Sequence, residues 1–109
     1  MPDFTQAEIP EPKLIDYLFK LDHPEGGSKA RFFLGRGFRR DDLETFASAL
    51  REQARGGSKV EITAGRFGTK ISMDSSLSCP DGTEARIRTV WIVAEGSSIP
   101  RLVTAHPLG

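Results

Sequence analysis

A chain of 109 residues, with 38% apolar side chains and 11 glycines, has the size and make-up expected of one globular domain able to bury a core without metal or disulfide staples. One cysteine, Cys79, excludes an intrachain disulfide and points to a reduced, cytoplasmic setting; the longest apolar run, Val90 to Ala94, is too short to cross a bilayer, and the N-terminus lacks the basic and apolar regions of a secretory signal. The formal charge is zero, from 15 basic and 15 acidic residues, which excludes a polycation that coats nucleic acid non-specifically.

That neutrality is an average over segregated segments. Residues 1–25 sum to −4, residues 26–40 to +5, residues 41–57 to −2 and residues 58–109 to +1. The basic segment reads either as a solvated helix face or as a place to hold a few phosphates.

In chain order, residues 1–11 with Pro2 and Pro10 read as an extended arm. Leu14, Leu18 and Leu21 recur near helical spacing and predict a short amphipathic helix over 12–20, with Pro12 in its first turn. Residues 22–27 are a loop by their breakers, and Ser28 is placed to cap a second helix that carries Phe32 and Phe33 and stops near Gly35 or Gly37. Asp41 with Glu44 makes a carboxylate version of a capping box. From there Leu43, Phe46, Ala47, Leu50 and Ala54 trace one helical face that ends at Gly56-Gly57.

After Gly57 the apolar period changes from helical to alternating. Val60, Ile62 and Ala64 predict a half-buried strand, and Thr69, Ile71 and Met73 a second one beyond a Gly65–Gly68 turn. Pro80-Asp81-Gly82 is a turn signal. Residues 84–94 form the longest strand, apolar on both faces from Val90 onward and therefore central; Arg101 to His106 is the last strand. The fold class expected is α+β: a helical part over 12–57, then a four-stranded antiparallel meander over 58–107, with the helices on one face of the sheet and the other face left for a site.

Several chemistries are excluded by motif. Gly26-Gly27-Ser28-Lys29 lacks the preceding strand and the lysine-then-hydroxyl order of a phosphate-binding P-loop, and Gly35-Arg36-Gly37 follows a helix without a βαβ unit. Two distant histidines and one cysteine do not make a structural zinc site, so no metal and no cofactor are expected. Cys79, ahead of a turn proline and without a local base, reads as an inert thiol. Phe32, Phe33, Phe38, Phe46 and Trp91 read as core rather than as a base-stacking platform.

What remains is a set of cations and donors. His23 lies in a polar loop ahead of Lys29; Arg86 and Arg88 share a sheet face at i and i+2; Arg101, Thr104 and His106 lie on the final strand, Thr104 and His106 sharing a face and Arg101 starting the other. Cleavage of RNA without a metal asks for such a set. A base takes the 2′-hydroxyl proton, cations and donors stabilise the dianionic phosphorane, and an acid protonates the leaving oxygen. Each residue also has a structural reading. His23 before Pro24 can order a turn, Arg86 and Arg88 can pair with Glu61, Asp74 or Glu84, and His106 can be a satisfied, partly buried imidazole.

The segments Ile9-Pro10 with Lys13-Leu14 and Tyr17-Leu18, HPEGGSKARFF (23–33) with Gly37-Phe38, FGT (67–69), PDG (80–82), RTVWIV (88–93) and PRLVTAHP (100–107) resemble, in order and spacing along nearly the whole chain, a small bacterial domain family without an assigned activity. Its layout looks like that of the barnase, EndoU, colicin and RelE group of metal-independent RNases, many of them toxins of bacterial conflict systems. Together with the chemistry of these residues, the layout suggests an RNase with His23 as general base or acid, Lys29 and Arg101 on the scissile phosphate and Thr104 donating to a non-bridging oxygen, with Arg88, His106, Lys70 and Arg86 holding substrate RNA, and a cognate antitoxin or immunity protein as partner. The alternative, from a different class, is a non-catalytic interaction module (antitoxin-like, immunity-like or a phage regulator) that uses the free sheet face. An RNase requires the catalytic set to converge; an interaction module requires a contiguous exposed apolar patch.

Overall fold

The computed structural model of the chain describes residues 3–18, 26–56, 59–66 and 68–108. A 3-10 turn, Phe4–Gln6, is followed by helices α1 (Glu11–Leu18), α2 (Gly26–Gly35) and α3 (Leu43–Arg55). Strands β1 (Lys59–Gly65), β2 (Gly68–Ser78), β3 (Glu84–Ala94) and β4 (Arg101–Pro107) then form one antiparallel sheet in the order β1-β2-β3-β4. This is the expected α+β meander, with helices packed against the sheet.

The helix limits follow local chemistry. The α3 cap is Asp42, one residue beyond the predicted Asp41: its carboxylate accepts from the Thr45 backbone N–H at 3.2 Å and from the Thr45 hydroxyl at 2.6 Å. Asp41 is instead held by Arg39 at 2.9 Å. The second helix begins at Gly26, so Ser28 lies inside its first turn and does not cap it. The first helix starts at Glu11, and its predicted last residues, 19 and 20, lie outside the described residues.

The arm is not simply extended. Asp3 caps the 3-10 turn, accepting from both the backbone N–H and the hydroxyl of Thr5, and Phe4 packs edge-on to Trp91 with ring centroids 5.4 Å apart. Glu8 then bridges to the start of β4: its N–H donates to the Pro100 carbonyl at 2.8 Å, and the Leu102 N–H donates to its carbonyl at 2.9 Å. An apolar residue every second or fourth position does not reveal such a cross-chain bridge.

The core lies between α3 and the sheet. Phe33, Phe46, Leu50, Leu77, Ile87 and Trp91 are fully buried, and Phe46 meets Phe33 and Phe38 at centroid distances of 4.8 and 4.9 Å. Within it sits a closed polar chain. The Gln53 amide donates to the Met73 and Ile87 carbonyls, both at 3.1 Å, and accepts from the Thr89 hydroxyl at 2.7 Å; the Thr89 oxygen accepts from the Trp91 indole N–H at 2.8 Å.

One strand departs from expectation. Ile62 stands 67% exposed and Ala64 is exposed, so β1 is not half-buried along its length. Alternation marks which residues share a face, but α3 lies over β2, and β1 forms the sheet's edge beyond it.

Candidate functional site

Leu102 and Ala105 of β4 face the core, both essentially buried, and Thr104 and His106, which flank Ala105, turn to the opposite face. A bulge separates these positions: Val90 pairs with Thr104 and Trp91 with Leu102, which leaves Val103 as the extra residue and brings Arg101, opposite Ile92, to the face of Thr104 rather than to the other face that unbroken alternation predicts. On β3, Arg88 pairs with His106, and on β2, Asp74 pairs with Arg88. Three neighbouring strands thus place a carboxylate, a guanidinium and an imidazole in one row.

Helix α2 supplies the fourth group. Phe33 and Ala30 are buried against the rest of the chain, which anchors the helix and fixes where the preceding Lys29 leaves it. The Lys29 ammonium donates to Thr104 Oγ1 at 3.1 Å, joining residues 75 positions apart. Helix α2 and the closing strand therefore meet.

The electrostatics of the row are defined by close contacts. Arg88 makes a two-point pair with Asp74, Nε to Oδ1 at 2.6 Å and Nη2 to Oδ2 at 2.8 Å, and Asp74 is only 6% exposed. The guanidinium is accordingly fixed in orientation and partly neutralised, which is the pairing that sequence offered as its structural reading. The His106 pKa lies below the ordinary histidine value. Partial burial is the main cause, the Lys29 and Arg88 charges push the same way, and Asp74 opposes them. An imidazole displaced in that direction is neutral near physiological pH and accepts a proton rather than giving one.

Lys29, Thr104, His106 and Arg88 are thus brought together. Arg101 is not part of this contact: it opens β4 opposite Ile92, in the row where Lys70 lies on β2. Arg86 lies one row to the other side of Arg88, opposite Ser76. Arg86, Lys70 and Arg101 are all exposed. His23 lies outside the described residues. Two arginines of the basic 26–40 segment are used elsewhere: Arg36 donates to Thr83 Oγ1 at 2.9 Å and sits over the Phe32 ring, and Arg39 holds Asp41. Lys29, from the same segment, reaches the sheet row. Cys79 is buried, which raises its thiol pKa and keeps it unreactive. Among the described residues no group of three His, Cys, Asp or Glu side chains is arranged to hold a metal ion.

Asp74 is the site residue that sequence reasoning did not single out. Its position among serines on an alternating strand marked it as facing away from the core, but its place opposite Arg88 depends on strand register, which one sequence does not state.

The chain belongs, over residues 1–109, to the family described as Domain of unknown function (DUF6883). No curated protein matches it. Among solved structures its fold is similar to that of a chain in the contact-dependent growth inhibition toxin – immunity protein complex from Klebsiella pneumoniae 342. The TM-score is 0.72 at 15% sequence identity, over 94% of this chain and 100% of that one. At that identity the likeness is one of fold.

Proposed function

We propose that this domain is a metal-independent ribonuclease of the toxin type, cleaving RNA by attack of the ribose 2′-hydroxyl on the adjacent phosphorus. The observation that carries the reading is the Lys29–Thr104 contact beside an imidazole held neutral. His106 takes the 2′-hydroxyl proton, the freed oxygen forms a bond to phosphorus, and the phosphorus–O5′ bond breaks. The products are a 2′,3′-cyclic phosphate and a 5′-hydroxyl, whose proton comes from an acid; His23 is the proposed donor. Lys29 stabilises the charge that grows on the phosphorane, and Thr104 donates to a non-bridging oxygen. Arg88, shared with Asp74, adds a weaker field than an unpaired arginine would.

A toxin calls for a cognate inhibitor. The structural neighbour comes from a toxin–immunity protein complex, which supports a cognate protein partner. The same neighbour is compatible with an immunity-like role. That alternative needs a broad apolar docking face, yet the large hydrophobic residues exposed among those described are Ile62 on β1 and Val103 on β4, at opposite edges of the sheet.

The test is incubation of the purified chain with total RNA in EDTA, wild type beside Lys29→Ala. Expected are fragments with cyclic-phosphate ends from the wild type and a loss of roughly 10²-fold or more in the variant, the scale for removing one phosphorane-stabilising donor. Absence of cleavage, or equal cleavage by the variant, overturns the reading in favour of an interaction module.

A further inference from the structure

The sheet face that carries Thr104 and His106 holds more cations than one phosphate needs, and they are ordered. By register, four successive rows along β3 and β4 contain Arg86; then Arg88 with His106; then Val90 with Thr104, to which Lys29 is bonded; then Ile92 with Lys70 and Arg101 on either side. Alternation along β3, where Ile87, Thr89 and Trp91 are fully buried, and the bulge at Val103 on β4 put these rows opposite the core face. Consecutive rows are about 6.7 Å apart, two residues of strand rise, so the four rows span roughly 20 Å. An extended single nucleic-acid strand spaces its phosphates on a similar scale.

The acids on this face lie to one side of the cations and at its ends. Asp74 and Glu61 sit on the β2 and β1 side, in the rows of Arg88 and Val90. They push the positive field toward β3 and β4. Glu84, the next residue of the same face beyond Arg86, closes one end with a like charge to phosphate. The other end is closed where β3 stops at Ala94, followed by Glu95. Aliphatic Val90 and Ile92 lie between the cations, while Phe4, Phe33, Phe38, Phe46 and Trp91 are buried and so take no part in base stacking.

From this placement we propose that the site takes a single-stranded RNA running along the β3–β4 seam, with the scissile phosphate at Lys29, Thr104 and His106 and flanking phosphates held by Arg86 on one side and by Arg101 with Lys70 on the other. The inference deepens the ribonuclease reading and rests on it. It moves Arg101 from the reacting phosphate to a neighbouring one. Binding is through phosphates, finite in length and tolerant of sequence.

The test uses 2′-O-methyl oligouridylates of about two to eight nucleotides, which lack the attacking hydroxyl, with affinity read by fluorescence anisotropy across a salt series. The expected result is affinity that rises to about four nucleotides and then levels, with a log–log salt slope near −2, about −0.7 for each of three phosphates. Arg86→Gln and Arg101→Gln, at exposed positions, each shrink the slope by about 0.7, and Lys70→Gln also shrinks it. Affinity that does not change beyond the dinucleotide, or slopes that the variants leave untouched, overturns the track. Cleavage in EDTA together with that flat profile leaves the ribonuclease intact and removes only the track. The expected length dependence without any cleavage leaves the track and removes the ribonuclease.

Discussion

Replacing Gln53 with leucine removes the hub of the buried polar chain. Gln53 is 2% exposed, and its amide takes part in three hydrogen bonds, at 3.1, 3.1 and 2.7 Å. Each is worth about 1 kcal/mol net, and the Thr89 hydroxyl proton, stranded at a fully buried residue, adds about 1–3 kcal/mol. Against these stands the extra apolar burial of leucine, of order 1–2 kcal/mol, so the net loss expected for Gln53→Leu is about 3 kcal/mol. For a chain of this size about 1 kcal/mol moves the melting temperature by roughly 4–8 °C, which puts the variant some 12–24 °C below wild type. Thermal unfolding followed by far-ultraviolet circular dichroism reads the shift, and urea titration checks that the m-value is unchanged. Thr89→Val strands the other ends of the same chain, the Trp91 N–H and the Gln53 carbonyl oxygen. The double variant should therefore cost less than the two single losses added together, by at least about 1 kcal/mol. Additive losses, or a neutral Gln53→Leu, would show that the three side chains do not act as a unit.

Two further outcomes follow from the geometry. The His106 imidazole should titrate below an ordinary histidine in a proton NMR series; Lys29→Gln should raise its midpoint by removing a like charge, and Asp74→Asn should lower it further. Because folding depresses this pKa, the associated stability is present above the unfolded histidine value and is lost as pH falls through the folded one, so a midpoint at or above the ordinary value contradicts the described surroundings. Gly68→Ala should destabilise the β1–β2 end of the sheet and lower the melting temperature, because φ there is +139° and an added Cβ would sit 2.2 Å from the Val93 carbonyl oxygen; an unchanged melting temperature refutes this.

How much of this was legible from residues alone depends on the range of the interaction. The apolar stripe of α3, the Pro80–Gly82 turn and the central position of β3 are local or nearest-neighbour consequences of sequence, and they stand where alternation and periodicity placed them. The Asp42 cap differs by one residue from the predicted Asp41 because both are aspartates, and the decision falls to Arg39, which claims the first. Ile62 was misjudged for a related reason: alternation assigns a residue to a face, and only tertiary packing decides whether that face is covered. At the candidate site the residue types were visible and the contacts were not. Lys29 and Thr104 are separated by 75 positions, and nothing periodic connects them. Asp74 was visible only as one of three acids within reach of the sheet arginines.

The buried polar chain and the outward row of charges are two sides of one registration. Met73, Ile87, Thr89 and Trp91 face the core, and Asp74, Arg88 and Val90, the residues between them, face away. A slip of one residue between β2 and β3 would exchange those sets, burying Arg88 and exposing Trp91. Apolar burial alone opposes that slip, but it discriminates weakly among registers that shift by two. Gln53 discriminates among those as well, since its oxygen accepts from the Thr89 hydroxyl, a side chain present at one position of β3, while its amide bonds to carbonyls on β2 and β3. A shift by two would part Gln53 from Thr89 and Asp74 from Arg88 in the same movement. The polar core is therefore what holds the carboxylate, guanidinium and imidazole in one row. A variant that loosens Gln53 should disturb the His106 titration before it unfolds the chain.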